Sequence, residues 1–263
     1  MTNTILVTGG TGELGRHVVP LLAAPGRHLR VLSRHGRPAP DPGSLSASPV
    51  ERVERIEYVV GDTVAGTGLA EAVTGADVVL HLAGGPKGDD VGTQHVAEAA
   101  RAAGVGHLIL ISVIGADRMP IGYFRRKAAS ERIVAASGVP WTVLRATQFH
   151  SFARTMAGGM ARLPIVPVMR DVRVESVAVE DVAQRLAELA GQPPQGRVAD
   201  LAGPQVRTLE ELIRTLPGRA HPQLRFGLPG ALGRAYRNGE NLAGPGADRG
   251  TGTWEEYLGA VAA

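Results

Sequence analysis

Short apolar runs of strand length alternate with amphipathic stretches over the first 150 residues of the chain. The runs at residues 4–7, 28–34, 55–62, 76–85 and 106–113 are rich in aliphatic and β-branched side chains, and the stretches between them space apolar residues at helical intervals. No hairpin signal joins one run to the next. This alternation predicts a parallel sheet with helices on both faces, which is a doubly wound α/β fold.

A glycine-rich turn follows the first run, in the segment 8–16 with the sequence TGGTGELGR. Its Gly10, Gly12 and Gly15 have G-x-G-x-x-G spacing. Such glycines let a diphosphate approach the backbone N–H groups of a helix N-terminus, where the helix dipole favours an anion, and a Cβ at Gly15 would push the helix off its strand. Because the turn follows a predicted strand and opens a predicted helix, it predicts dinucleotide binding. The alternative is a tight turn without a ligand.

The second run ends without a carboxylate. An Asp or Glu at this place accepts hydrogen bonds from the adenosine 2′-hydroxyl and selects NAD. No acidic residue occurs between positions 16 and 40, and Ser33, Arg34, His35 and Arg37 stand there instead. Because a guanidinium suits a 2′-phosphate, the segment favours NADP(H), unless these arginines are only solvated loop residues.

Small and polar residues end the next three runs. Asp62 and Thr63 end the third, the segment 82–84 ends the fourth, and Ser112 lies at the end of the fifth. Since ligands bind outside the carboxyl ends of parallel strands, we expect these residues at one edge of the sheet with the glycine turn. Asp62 has two alternative roles, as the acceptor for the adenine amino group or as a helix N-cap. His81, inside the fourth run, is interpreted as a core histidine rather than a catalyst.

A Tyr-x-x-x-Lys pair begins eleven residues after Ser112. Tyr123 and Lys127 fall in a helical pattern, so they lie one turn apart on the same face. An ammonium at this distance stabilises a phenolate, which suits a phenol that gives up its proton during hydride transfer. Lys127 could also hold the ribose hydroxyls of the nicotinamide, and Ser112 could donate a hydrogen bond to a substrate carbonyl. The alternative is an exposed helix pair without chemistry.

Composition excludes several classes of function. The net charge is only +3 and no long basic tract is present, which argues against nucleic-acid binding. The chain has no cysteine, which excludes disulfides and thiol chemistry, and its eight histidines show no metal-ligand spacing. Neither a signal peptide nor an apolar run of membrane-spanning length is found, so we expect a soluble cytoplasmic protein, monomeric or homodimeric, that binds no metal.

Together these motifs resemble the atypical short-chain dehydrogenase/reductase superfamily, and within it the NmrA-like, NAD(P)H-binding branch. The resemblance also uses the segment 137–149, SGVPWTVLRATQF. It implies a Rossmann fold whose catalytic residues are Ser112, Tyr123 and Lys127, with Ala146 and Thr147 bordering the nicotinamide after the sixth strand. The expected NADP(H)-binding residues are Gly9, Thr11, Gly12, Glu13, Leu14, Ser33, Arg34, Asp62, Thr63, Leu82, Ala83, Gly84, Ser112, Lys127, Ala146 and Thr147.

The C-terminal part is expected to form a small substrate-binding lobe. We assign residues 1–150 to the Rossmann core and 151–263 to this lobe, which is interleaved with the core rather than independent. The expected elements are helices at 150–162 and 176–189, an edge-like segment at 164–168, a strand at 198–204, a helix capped by Thr208, a loosely held cover at 224–252 and a terminal helix at Trp254. His150 is interpreted as a residue without a role in proton transfer.

The sequence therefore favours an NADPH-dependent reductase that transfers hydride to a small apolar ketone or quinone-like substrate, ring compounds included. One alternative is an NADP(H)-binding redox sensor or regulator without turnover, because the NmrA-like branch includes such proteins. They usually lack the catalytic tyrosine, so Tyr123 favours an enzyme. A second alternative is a sugar-nucleotide epimerase or dehydratase, which would need a larger C-terminal lobe with groups for a second diphosphate.

Overall fold

The computed structural model describes residues 3–23, 26–36, 56–85, 87–216 and 221–262. Arg37 lies outside these residues. The elements up to residue 146 are β1 (Asn3–Thr8), α1 (Glu13–Leu22), β2 (Arg27–Ser33), β3 (Ile56–Val60), α2 (Leu69–Val73), β4 (Val78–His81), α3 (Asp89–Ala102), β5 (His107–Val113), α4 (Gly122–Ala136) and β6 (Trp141–Ala146). The later elements are α5 (His150–Ala161), β7 (Val166–Met169), β8 (Arg173–Val174), α6 (Val179–Ala190), β9 (Gly196–Arg197), β10 (Leu201–Ala202), β11 (Arg207–Thr208), α7 (Leu209–Thr215), β12 (Gln223–Phe226), α8 (Gly230–Arg237), β13 (Asp248–Arg249) and α9 (Trp254–Ala262).

The chain divides into two compact units whose segments alternate along the sequence. The first consists of Met1–Ser112, Arg126–Leu144 and Ala183–Val198, and the second of Val113–Arg125, Arg145–Val182 and Ala199–Ala263. The expected assignment of residues 1–150 to the cofactor and 151–263 to the substrate stays a prediction.

A parallel sheet forms the centre of the first unit. β1 lies between β2 and β4, β3 pairs with β2, and β5 pairs with β4, all in parallel. The strand order β3-β2-β1-β4-β5-β6 reverses its direction of progress at β1. Ligands of open parallel sheets bind where the order reverses, outside the carboxyl ends of the strands. The predicted doubly wound α/β fold of Rossmann type is confirmed.

The core of the first unit is aliphatic because its central strands are covered on both faces. Every residue of β4 and β5 is buried. Leu6, Val79 and Leu108 come from three adjacent strands, are inaccessible to solvent, and pack in one cluster with side chains of α2 and α3. Burying a side chain of this size stabilises a fold by about 1.5–3 kcal/mol. This core fixes the strand ends at which the site residues lie.

The second unit has its own core around Trp254. The indole is 2% exposed and donates its Nε1–H to Thr215 Oγ1 at 2.8 Å. Ala157 of α5 and Leu212 of α7 are buried in the same cluster. β7 pairs in parallel with β12, β8 pairs with β11, and β10 lies between β13 and Ala146 of β6.

Most predicted elements are confirmed within a few residues, and the predicted cap of α7 is confirmed in detail. Thr208 Oγ1 accepts from Glu211 N, and the Glu211 carboxylate accepts from Thr208 N, which makes a capping box. Two expectations for the second unit are wrong. The strand expected at 198–204 is reduced to the two residues of β10, and the loosely held cover at 224–252 instead contains α8, β13 and most of β12. Pairing of β12 with β7 gives this arginine- and glycine-rich segment its order.

Candidate functional site

The turn between β1 and α1 presents bare backbone at a helix N-terminus. Gly12 is the exposed N-cap of α1 and brings no side chain that could cap the helix. Its N–H donates to the Gly9 carbonyl at 3.0 Å, which closes the turn. By helix geometry, the amides of Glu13 and Leu14 in the first helical turn have no intrahelical acceptor. These donors and the helix dipole favour an anion at this position.

Packing alone requires glycine at three positions of the turn. A Cβ at Gly15 would collide with the backbone of Gly9 and Gly10, whose close approach sets the turn. Gly9 has a φ of +71°, and a Cβ there would lie 2.6 Å from Ala83 N. A Cβ at Gly10 would lie 2.8 Å from a methyl group of Val31. The turn therefore packs on itself and on its neighbours through bare backbone.

Gly12 is glycine for a different reason. A Cβ built on it would lie 3.2 Å from Gly9 O, and its φ of −76° with a ψ of 179° is open to other residues. Alanine at Gly12 would require the Gly9 carbonyl to shift by a few tenths of an ångström, and a diphosphate that approaches the helix N-terminus would meet the same methyl group. The residues of this turn fit a dinucleotide.

The end of β2 exposes a cation where a carboxylate would select NAD. Arg34 and His35 are exposed, whereas Ser33 is buried and its Oγ accepts a hydrogen bond from His35 N at 3.4 Å. β2 is the direct neighbour of β1, so Arg34 lies one strand away from the glycine turn.

Asp62 closes a turn and does not cap a helix. Its Oδ1 accepts from the N–H of Val64 at 2.7 Å, and its backbone forms an isolated bridge with Thr67. The N-cap of α2 is Gly68. The helix-cap interpretation is therefore wrong, because a complete turn separates β3 from α2. The alternative role at the adenine stays a prediction, as does the role of the half-buried Thr63.

The Lys127 ammonium is buried against a carboxylate that the sequence analysis missed. Its Nζ lies 3.1 Å from Asp89 Oδ2 and 3.3 Å from Ile111 O. A Cβ at Gly84 would lie 2.5 Å from Asp89 Oδ1 and 3.1 Å from Lys127 Nζ. The ion pair therefore packs directly against the backbone of Gly84, which is exposed and has no side chain in the way. Asp89 escaped attention because an acidic residue in the first turn of a helix is ordinary.

Ser112 has a partner that the sequence analysis also missed. Its Oγ donates to Glu131 Oε1 at 2.5 Å. Glu131 lies one turn after Lys127 on α4, so Tyr123, Lys127 and Glu131 recur every four residues on one face of the helix. This spacing was the sequence signal that could have identified Glu131. A hydroxyl has one proton, so Ser112 must turn away from Glu131 before it can donate to a substrate oxygen.

The remaining predicted residues lie in the second unit. Tyr123 stands in the first turn of α4, is half-buried, and makes an edge-on contact with Phe124 at a centroid distance of 5.4 Å. Ala146 and Thr147 are buried at the end of β6. The carbonyl of Ala146 accepts from Ile114 N at 2.9 Å, and Thr147 Oγ1 accepts from Gly203 N at 3.3 Å. Their expected contacts with the nicotinamide stay a prediction.

The interpretation of His81 as a core residue is confirmed. Its Nδ1 lies 2.7 Å from Thr8 Oγ1, and its Nε2 lies 3.1 Å from Thr93 Oγ1. Burial, helped by the charge of Lys127, lowers the pKa of His81 to about 3, so the ring is neutral at physiological pH.

His150 is also held by neighbours. Its Nδ1 lies 2.7 Å from Ser176 Oγ, and its Nε2 lies 3.2 Å from the carbonyl of Gly252. Burial lowers the pKa of His150, against the opposing effect of the Gly252 carbonyl and nearby carboxylates. The ring also packs against Trp254 and Tyr257. A ring engaged at both nitrogens fits the interpretation that His150 is structural.

Two other kinds of site were sought in the part of the chain that the structure describes. No helix there has both the length and the apolar character needed to cross a membrane. No cluster of His, Asp or Glu among the same residues could hold a metal ion.

The parallel sheet, its reversal at β1 and the bare helix N-terminus define a dinucleotide-binding protein of Rossmann type. Residues 9–193 match the NAD(P)H-binding family, and the chain belongs to that family. This membership agrees with the expected resemblance to the atypical short-chain dehydrogenases/reductases of the NmrA-like branch.

Its relatives include named reductases. The chain is 34% identical over 226 residues to the (4-alkanoyl-5-oxo-2,5-dihydrofuran-3-yl)methyl phosphate reductase of Streptomyces griseus subsp. griseus, which covers 84% of this chain and 76% of that protein. It is 26% identical over 228 residues to quinone oxidoreductase 2 of Escherichia coli, with coverage of 84% and 76%. The solved structure of the NADPH-dependent quinone oxidoreductase of Escherichia coli with NADPH has the same fold, with a TM-score of 0.76 at 22% identity over 98% of this chain and 100% of that chain.

We expect Gly12→Ala to separate ligand binding from folding. The variant should unfold within a few degrees of the wild type, whereas its Kd for NADPH should rise about tenfold or more, because the added methyl group stands where the diphosphate approaches. Gly244→Ala is the matched control, since a Cβ there meets no atom within 4 Å. Thermal melts and nucleotide fluorescence titrations measure both effects. Unchanged NADPH affinity in Gly12→Ala would contradict the placement of the diphosphate.

We expect the buried His81 to make the fold sensitive to acid. An unfolded histidine takes up a proton near pH 6.5, whereas His81 with its pKa of about 3 does not. Stability is therefore complete above about pH 7 and declines as the pH falls through 6.5 towards 3, with a loss of about 2 kcal/mol from His81 at pH 5. Urea unfolding at pH 7 and pH 5 measures this loss. The loss of unfolding free energy between pH 7 and pH 5 should be about 2 kcal/mol smaller in His81→Asn than in the wild type. In the exposed control His35→Asn the loss should equal that of the wild type. Equal losses in all three proteins would refute the assignment.

Proposed function

We propose that the protein is an NADPH-dependent reductase that transfers hydride to a small apolar ring carbonyl, such as a quinone or a conjugated ketone. The observation that carries the proposal is the buried Lys127 ammonium beside the bare backbone of Gly84. The names of the relatives, a furanone phosphate reductase and a quinone oxidoreductase, support reductase chemistry.

Tyr123 and Lys127 have different roles in the proposed reaction. Bound NADPH supplies the hydride. Tyr123 donates its phenolic proton to the substrate oxygen as negative charge develops there, and solvent later restores that proton. An ammonium has three N–H groups, and with Asp89 and Ile111 O as its protein acceptors Lys127 keeps one for the nicotinamide ribose. The positive charge one helical turn from Tyr123 stabilises the phenolate.

Ser112 would act as the second hydrogen-bond donor to the substrate oxygen. Its proton is directed at Glu131 Oε1, so the proposed role requires that the hydroxyl group of Ser112 rotates away from Glu131 when substrate arrives. The substrate oxygen, on which negative charge develops, then has a second hydrogen-bond donor.

The choice of NADPH over NADH is assigned to the end of β2. Arg34 is exposed there, and a guanidinium can make paired, charge-assisted hydrogen bonds with a 2′-phosphate. The NADPH bound in the solved structure of the Escherichia coli quinone oxidoreductase supports this choice.

The substrate class is proposed from the names of two relatives. They are named for a 5-oxo-2,5-dihydrofuran and for a quinone, and both are rings in which a carbonyl is conjugated with a double bond. A conjugated ring carbonyl is therefore the substrate class that we propose.

One observation favours a second candidate, an NADP(H)-binding regulator without turnover. The proton of Ser112 is held by Glu131 and is therefore not directed at a substrate oxygen. Tight NADPH binding without oxidation of NADPH, over a panel of quinones, furanones and apolar ketones, would establish the regulator and exclude the reductase.

We expect Tyr123→Phe to lower kcat about 10²–10⁴-fold while the Kd for NADPH changes less than about twofold, because the phenol acts on the substrate and not on the cofactor. Tyr58→Phe, in β3 at the far edge of the first unit's sheet, is the matched control and should keep full activity. Steady-state oxidation of NADPH and fluorescence titration measure the two quantities. A Tyr123→Phe enzyme with unchanged kcat would remove Tyr123 from the role of acid.

We expect Arg34→Asp to weaken NADPH binding about tenfold or more without weakening NADH binding, because the lost guanidinium is assigned to the 2′-phosphate and the new carboxylate can accept from the 2′-hydroxyl of NADH. Arg132→Asp, an exposed substitution on α4, controls for the change in net charge. Calorimetric titration with both nucleotides measures the preference. An unchanged ratio of the two affinities would show that Arg34 does not select the cofactor.

A further inference from the structure

We propose that Asp89 is a positioning residue, which holds the Lys127 ammonium at the end of β5 while a buried chain of hydrogen bonds ties that place to the glycine turn. This inference rests on the role of Lys127 in the proposed function. It extends that role to a residue outside the Tyr-x-x-x-Lys pair and the glycine motif. Asp89 acts through Lys127.

The ion pair is enclosed and has a defined geometry. The side chain of Asp89 is 1% exposed and that of Lys127 is 8% exposed. Nζ lies 3.1 Å from Oδ2 and 3.3 Å from Oδ1 of the same carboxylate. Removal of one partner from a buried pair leaves an uncompensated charge, so the position of Lys127 depends on Asp89.

The carboxylate is itself held by hydroxyl groups. Ser130 Oγ donates to Asp89 Oδ2 at 3.4 Å. Thr93 Oγ1 donates to the backbone carbonyl of Asp89 at 2.7 Å and lies 3.1 Å from Ser130 Oγ. Ser130 and Thr93 are 0% and 1% exposed, so solvent does not compete for these bonds. Asp89 is therefore fixed from α4 and from the next turn of its own helix.

His81 continues the chain to the glycine turn. The N–H of Ala83 donates to Thr8 Oγ1 at 3.3 Å, which leaves the hydroxyl proton of Thr8 for His81 Nδ1 at 2.7 Å. The neutral ring then donates through Nε2 to Thr93 Oγ1 at 3.1 Å. All donors thus point in one direction, from Ala83 towards Asp89.

This direction gives the chain a mechanical and an electrostatic role. Hydrogen bonds that run head to tail in a low-dielectric interior polarise one another, and here they end at the backbone carbonyl of Asp89. Thr8 directly precedes Gly9, and the backbone of Gly9 packs on Ala83. The glycine turn and the ammonium therefore share one rigid network, which keeps Lys127 at a fixed place relative to the diphosphate site.

The test is a double-mutant cycle of Asp89→Asn and Lys127→Met, with Asp90→Asn as the matched control. Asp90 is the next residue in the first turn of α3, so its substitution removes the same charge from the same helix end. The full-length proteins are assayed for kcat and KM with NADPH and 2-methyl-1,4-naphthoquinone, for the pH dependence of kcat, and for NADPH affinity by nucleotide fluorescence.

Asp89→Asn should lower kcat about 30-fold and weaken NADPH binding about fivefold, with KM for the quinone within about twofold of the wild type. The pH profile of kcat should also differ from that of the wild type, because the substitution removes a negative charge beside the proposed proton-transfer residues. In the Lys127→Met background the same substitution should change kcat and NADPH affinity by less than about twofold, because its effect passes through Lys127. Asp90→Asn should behave as the wild type.

If Asp89→Asn lowered kcat and NADPH affinity by the same factors with Lys127 present and in Lys127→Met, Asp89 would support only the fold. This result would overturn the inference. Wild-type kcat, affinity and pH profile in Asp89→Asn would overturn it as well. A different result would contradict the proposed function itself: wild-type turnover and NADPH affinity in Lys127→Met. Because the inference depends on the role of Lys127, this result would overturn the inference too.

If Asp89→Asn does not fold, Ser130→Ala takes its place in the cycle. This smaller change removes a donor to Asp89 Oδ2 and keeps the ion pair. We expect kcat to fall about threefold to tenfold with Lys127 present and by less than about twofold in Lys127→Met. Equal losses in both backgrounds would again contradict the inference.

Discussion

Backbone packed directly against backbone is the constraint on which the nucleotide site depends. Gly9 lies against Ala83 of the segment after β4, and Gly15 lies against the turn itself, so α1 can begin close to the ends of two central strands. Side chains at these positions would separate α1 from the sheet. The same close packing leaves Gly12 as exposed N-cap, with room for a ligand at the helix N-terminus. Every further feature of the site is placed relative to this turn.

The second requirement is the burial of charge, which costs free energy unless partners are supplied. Lys127 and Asp89 form an ion pair, and the hydroxyl groups of Thr93 and Ser130, from two helices, donate hydrogen bonds to Asp89. His81, next to this pair, is kept neutral by burial and by the charge of Lys127. Asp89, Lys127, Ser130, Thr93 and His81 therefore belong to one buried network, which packs closely against the backbone of Gly84.

Membership in the NAD(P)H-binding family and the likeness to named reductases agree with this arrangement. Whether the protein is a reductase or a regulator then depends on which hydrogen-bond donors of the site can reach a substrate. Lys127 has more donors than its protein partners need, whereas the proton of Ser112 is directed at Glu131. In the proposed reaction the charge that develops on the substrate oxygen competes with the Glu131 carboxylate for that proton, which makes the Ser112–Glu131 bond a point of control.

The sequence by itself determined the parallel sheet, the glycine turn and the cap at Thr208. These features depend on periodicity and turn chemistry within a few residues, so they can be recognised locally. It also located Lys127 and Ser112, but neither of their partners. Only the tertiary structure decided that Lys127 meets Asp89, 38 positions away, and that Ser112 meets Glu131, 19 positions away. The pairing of β12 with β7 was likewise decided there. Such contacts are set by how helices dock on the sheet and which strands become neighbours, and spacing along the chain carries little information about either.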